Sequence, residues 1–93
     1  MVIDPHFVPK LARKARLKLD RHANKYMIIY PERGLELNDT AAAIAKKCDG
    51  TRSVAVITDE LVREHEGAPR DPIERDVMAF VTELRDKGLL ELT

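Results

Sequence analysis

The hydrophobic pattern changes period once, at Asn38, and that switch limits the folds open to this chain. Before it, Ala15, Leu17 and Leu19 alternate with Lys14, Arg16, Lys18 and Asp20. A period of two puts the apolar side chains on one face of a half-buried strand and the basic ones on the other. Arg21-His22-Ala23-Asn24 has turn character and leads into Lys25-Tyr26-Met27-Ile28-Ile29-Tyr30, a second strand ended by Pro31. Glu32-Arg33-Gly34 reads as another turn, and Leu35-Glu36-Leu37 as a short third strand with both leucines on one face.

After Asn38 the period is that of a helix. Asn38 is a good N-cap and Asp39 complements the helix dipole. Ala41, Ile44, Ala45 and Cys48 then share a face, and Gly50 is the expected stop. Ser53 caps a second helix with the stripe Val54, Ile57, Leu61 and His65. Gly67-Ala68-Pro69-Arg70 is a linker, Asp71 a cap, and Pro72 the first residue of a third helix. That helix buries Ile73, Val77, Phe80, Val81 and Leu84 and ends at Gly88. The predicted fold is α+β: a three-stranded antiparallel sheet followed by three helices, resembling a winged helix-turn-helix. Residues 1–12, with Pro5 and Pro9, read as an irregular N-terminal arm, and residues 13–93 as one domain.

Charge then limits the function. The 93 residues sum to zero net charge, but residues 1–25 hold seven bases against two acids, so the rest of the chain carries the compensating −5. A winged-helix order suggests a DNA-binding regulator, whose recognition helix enters the major groove. Here the third helix contains Asp71, Glu74, Asp76, Glu83 and Asp86 against Arg75, Arg85 and Lys87. Phosphate contact supplies most nucleic-acid affinity, so an acidic reading helix argues against DNA. With four aromatic residues and no Trp, the chain lacks a base-stacking platform.

Catalysis finds no support either. His6, His22 and His65 are scattered, and one cysteine, Cys48, supplies neither a disulfide nor a metal-ligand set. Each of the four glycines fits a turn or a helix end, so no phosphate-binding loop is present. The expectation is a non-enzyme with no cofactor and no metal. A lone cysteine, no apolar span and no signal-peptide pattern suggest a cytoplasmic protein with no membrane partner.

What remains is a sheet edge beside an apolar helix. The third strand, 33–37, is one candidate edge, and an extended peptide can add there as a further strand. A short solvated edge is the alternative, and composition does not choose between them. The same edge offers a route to a homodimer by strand exchange.

Several segments together resemble a known family. They are Pro9-Lys10-Leu11, Tyr30-Pro31-Glu32, 35–41 (Leu-Glu-Leu-Asn-Asp-Thr-Ala), Cys48-Asp49-Gly50-Thr51, Gly67-Ala68-Pro69-Arg70, Asp76-Val77, Phe80-Val81, Leu84 and Gly88-Leu89-Leu90. In combination they look like PqqD, the peptide chaperone of pyrroloquinoline quinone (PQQ) biosynthesis. The resemblance implies a non-enzyme that binds the precursor peptide PqqA and presents it to the radical S-adenosylmethionine enzyme PqqE. It also implies a leader-peptide recognition element in which the peptide pairs with the third strand and packs on the third helix. On this chain that points to the backbone of Arg33, Gly34, Leu35, Glu36 and Leu37. Val77, Phe80, Val81 and Leu84 would line or support the groove, with Asp76 and Arg85 at its rim. Several of the helix residues would serve the core alone. One departure is Ala45-Lys46-Lys47, where the family usually continues with an aliphatic residue.

Overall fold

The computed structural model describes residues 3–31 and 33–91. Three strands, β1 (Arg16–Asp20), β2 (Lys25–Tyr30) and β3 (Arg33–Glu36), precede three helices, α1 (Asp39–Lys46), α2 (Val54–Glu64) and α3 (Arg70–Asp86). The sheet is antiparallel in the order β1-β2-β3, so β1 and β3 are its edges. Asp20 closes the first hairpin, its Oδ1 accepting the amides of His22 and Ala23. Asn24 takes the left-handed conformation (φ 54°) that asparagine tolerates in such turns. β3 begins earlier than expected: Tyr30 stands opposite Arg33, so Arg33 and Gly34 are strand and not turn. Glu32 of the expected turn lies outside the described residues.

Strand alternation divides the sheet. Leu17, Ile28, Leu35 and Leu37 face the helices, and Ile28 is fully buried. The helices contribute Ile44, Val54, Ile57, Leu61, Val77, Val81 and Leu84, all at 2 % exposure or less. Burying a large aliphatic side chain contributes roughly 1.5–3 kcal/mol, so this cluster dominates stability. Thr58 joins it because its hydroxyl donates to the Val54 carbonyl at 2.9 Å.

Helix ends show where local signals hold. Asn38 Oδ1 accepts the Ala41 amide at 2.7 Å and Ser53 Oγ the Val56 amide at 3.2 Å, as expected. α3 starts earlier than expected: Pro69 is its N-cap and Asp71 makes no cap bond. Its first turn is held by Arg70, which pairs with Asp59 of α2 and with Glu74. Pro72 is tolerated there because the first amides of a helix lack intrahelical partners anyway. At the other end, Leu89 N–H bonds to Leu84 O and Gly88 N–H to Arg85 O, with Gly88 at φ 71°. Those bonds form a Schellman cap, whose apolar contact joins Leu84 and Leu89, both 0 % exposed.

Gly50 does not stop α1, which ends at Lys46. It sits at φ 84° in the loop to α2, where its amide bonds to Pro9 O and an added Cβ would lie 2.9 Å from the Lys10 side chain. The N-terminal arm therefore packs on this loop. Its Phe7 and Pro5 carbonyls accept the amides of Val54 and Ala55, two donors that the start of α2 would otherwise leave unmet. Ile3 is 7 % exposed, and Pro9 is among the fully buried side chains. The departure after Ile44 is also accounted for. Lys46 lies 4.1 Å from the Tyr26 ring centroid, and Lys47 reaches Glu64 at 2.8 Å.

Candidate peptide-binding groove

Leu37 N–H bonds to Tyr26 O at 2.9 Å, which fixes the hydrogen-bond parity of β3. In an antiparallel ladder, opposed residues alternate between bonded and non-bonded pairs. Leu35 opposite Ile28 and Arg33 opposite Tyr30 are therefore bonded pairs, facing inward to β2. Gly34 and Glu36 are the non-bonded pairs, so their N–H and C=O groups point out of the sheet at its free edge.

α3 runs along that edge. A groove of about 370 Å³ lies between β3, the start of α1 and α3, lined by Leu35–Leu37, Asn38, Thr40, Ala41, Ile44, Asp76, Ala79, Phe80 and Glu83. The four α3 residues recur at helical spacing and form a single stripe. Ala79 keeps the middle of that stripe low. The floor is apolar (Leu35, Leu37, Ala41, Ile44, Phe80), and the rim carries the carboxylates of Glu36, Asp76 and Glu83. Glu36 is held from the outer sheet face by Lys25 Nζ at 2.8 Å, a contact that raises the lysine pKa. Beyond Thr40 and Asp76 the groove meets a second hollow of about 260 Å³, lined by Ala43, Leu61, His65, Ala68 and Ile73.

The expected site residues divide into three sets. Leu35, Glu36, Leu37, Asp76 and Phe80 line the groove. Arg33 and Gly34 lie on β3 but not in the lining, and Gly34 contributes backbone at the edge. Val77, Val81 and Leu84 are fully buried in the core, behind the groove wall, and support it from there. Arg85 pairs with Asp86 at 3.0 Å and is not part of the lining. Sequence reasoning missed Asn38, Thr40, Ala41, Ile44, Ala79 and Glu83. Only the positions of Ala79 and Glu83, three and seven after Asp76, carried a periodic signal that could have found them.

The groove offers shape, backbone and fixed charge. Among the described residues there is no group of three His, Cys, Asp or Glu side chains placed to hold a metal ion. Cys48 is 3 % exposed and donates to Ile44 O at 3.3 Å, and burial pushes its pKa up to about 12. It is a packed thiol, not a nucleophile. No helix among those residues is long and apolar enough to cross a membrane.

Comparison with known proteins gives the same fold a family. The model of coenzyme PQQ synthesis protein D (PqqD) matches residues 25–90. A PqqA binding protein of Rhodopseudomonas palustris (strain TIE-1) is 44 % identical over 82 residues, 88 % of this chain and 79 % of the relative. The solution structure of the PqqD portion of Methylobacterium extorquens PqqCD is described as a stand-alone recognition element for ribosomally synthesised, post-translationally modified peptides. It superposes with a TM-score of 0.84 at 33 % identity, covering 98 % of this chain and 96 % of that one. Lasso peptide synthetase B1, solved with its leader peptide, shares the fold at a TM-score of 0.74 and 22 % identity, over 92 % of this chain and all of that one. With the family model spanning β2 to the end of the core and a relative this similar over most of its length, the chain belongs to the PqqD family.

Proposed function

We propose that this chain is a peptide chaperone of PQQ synthesis that binds the precursor peptide PqqA by strand addition at β3 and presents it to PqqE. One observation carries the reading: the outward-facing backbone of Gly34 and Glu36 opens onto an apolar groove walled by α3. An extended segment pairing with Gly34 and Glu36 would point every second side chain into that groove, toward Leu35, Ile44 and Phe80. Backbone bonds then give affinity, and the groove gives selectivity for apolar residues at alternate positions. The relatives named PqqA binding proteins support PqqA as the occupant. The leader-bound lasso synthetase of the same fold supports a peptide-binding use of the fold.

The chain performs no chemistry in this account. A free leader samples many conformations, and ordering it opposes binding at the enzyme. Holding the leader as a strand moves that ordering to an earlier step. Tethering it beside the enzyme also raises the local concentration of the segment to be modified. The experiment is a reconstitution in which PqqE acts on PqqA with and without this chain. Glu–Tyr cross-linking in PqqA should depend on the chain and fall when the groove is blocked. Equal cross-linking without it would refute delivery. Intact delivery by a chain that does not bind PqqA would refute the groove reading.

A further inference from the structure

The outer face of the sheet, opposite the core, has no partner within the chain. Alternation places Arg16, Lys18 and Asp20 of β1 and Met27 and Ile29 of β2 there. Ile29 is 40 % exposed, as is Leu19 near the hairpin. Lys18, Leu19, Asp20, Arg21, His22, Met27 and Ile29 line a shallow hollow of about 370 Å³ on this side. A face kept only for solubility would be polar throughout, whereas this one sets apolar side chains among cations.

Charge is distributed unevenly around it. Lys10, Lys25, Lys47, Arg52, Arg70 and Arg85 are each committed to a carboxylate. Arg13, Lys14, Arg16, Lys18 and Arg21 are exposed and form no ion pair among the described residues. Asp20 is the acid of the hollow, and its carboxylate accepts two backbone amides of the hairpin. The uncompensated positive charge of the chain therefore collects at β1 and its flanks. β1 is the edge opposite β3, so a partner seated there leaves the groove at β3 open.

We propose that this basic, apolar-centred face docks an acidic surface of the enzyme that modifies the bound peptide, with carboxylates around an apolar centre. The proposal rests on the delivery reading above and adds the surface through which delivery occurs. Complementary rim charges raise the association rate and fix orientation, and the apolar centre slows release. Peptide and enzyme would then occupy opposite edges of one small sheet at once.

The test uses the full chain with PqqA and PqqE. The triple variant Arg16→Glu, Lys18→Glu, Arg21→Glu should weaken binding to PqqE by about tenfold or more and leave PqqA affinity unchanged. Wild-type binding to PqqE should weaken as salt rises from about 0.05 M to about 0.5 M. A second variant, Ile29→Ser, probes the apolar centre if the triple variant does not fold, and should also weaken PqqE binding selectively. PqqE binding that survives both variants overturns this proposal alone. A wild-type chain that binds PqqA but not PqqE overturns it together with delivery. Loss of self-association in sedimentation, with PqqE binding intact, would overturn it by assigning the face to a second copy of the chain.

Discussion

Replacing Glu36 by proline tests the parity of β3 with one atom. The Glu36 N–H points to the free edge, so proline there removes a donor from the peptide and none from the β2–β3 ladder. β3 exposes outward donors only at Gly34 and Glu36, so half of its edge donors are lost. A net backbone hydrogen bond contributes about 1 kcal/mol, and stranding the peptide carbonyl against the groove raises the loss to roughly 1–2 kcal/mol. That corresponds to about 5- to 30-fold in Kd, read by titration calorimetry with PqqA. Glu36→Ala controls for the lost Lys25 contact, an exposed pair contributing about 0–1 kcal/mol. Leu35→Pro is the mirror experiment. Its N–H belongs to a bonded pair with Ile28, so it should lower the melting temperature more than Glu36→Pro does. If Glu36→Pro binds PqqA as Glu36→Ala does, the peptide does not pair with that amide and the parity argument fails.

The groove wall gives a second prediction. Ala79 is exposed and lines the groove, so Ala79→Leu should reduce PqqA affinity about tenfold or more while shifting stability by less than about 0.5 kcal/mol. Unchanged affinity would place the peptide elsewhere. Gly50→Ala forces a side chain into a left-handed conformation and against Lys10, and should cost about 1–2 kcal/mol in urea unfolding. A neutral result would mean that the arm and loop relax together. The Asp49 carboxyl is held below its usual 3.8 chiefly by the Thr51 hydroxyl at 2.6 Å, then by the Thr51 amide, with Arg52 also contributing. A pKa lowered on folding gives stability that is present above the unfolded value and lost as pH falls through the folded one. The contribution should therefore fade below about pH 4, and Thr51→Ala should raise the Asp49 midpoint in a carboxyl NMR titration. An unmoved midpoint would rule out the hydroxyl as the cause.

Much of the fold was legible because local signals and tertiary packing agree. The alternation around Ile28 and the stripes of α2 and α3 each match a single period, and Asn38 and Ser53 cap where their side chains demand. The start of α3 was not legible, because Arg70 is fixed by Asp59 of another helix and no local cap marks the spot. Nor was the role of the arm, since Pro5 and Phe7 cap α2 through backbone carbonyls that any residue carries. In the groove, one periodic stripe on α3 serves two purposes. Periodicity gave Val77, Phe80, Val81 and Leu84 together, but only packing separates Phe80, which reaches the groove, from three core residues. Asn38, Thr40 and Ala41 escaped notice because their place beside α3 exists only after three elements assemble. The edge amides needed the register itself, since a shift of one residue would exchange Leu35 with Glu36.

Strand addition is tested most directly by amide hydrogen exchange at single-residue resolution, with and without PqqA. In the free chain the Leu35 amide should be protected by β2, and the Gly34 and Glu36 amides should exchange quickly. Saturating PqqA should protect Gly34 and Glu36 and leave Leu35 little changed. Bound peptide with both edge amides still exchanging as in the free chain would contradict the account.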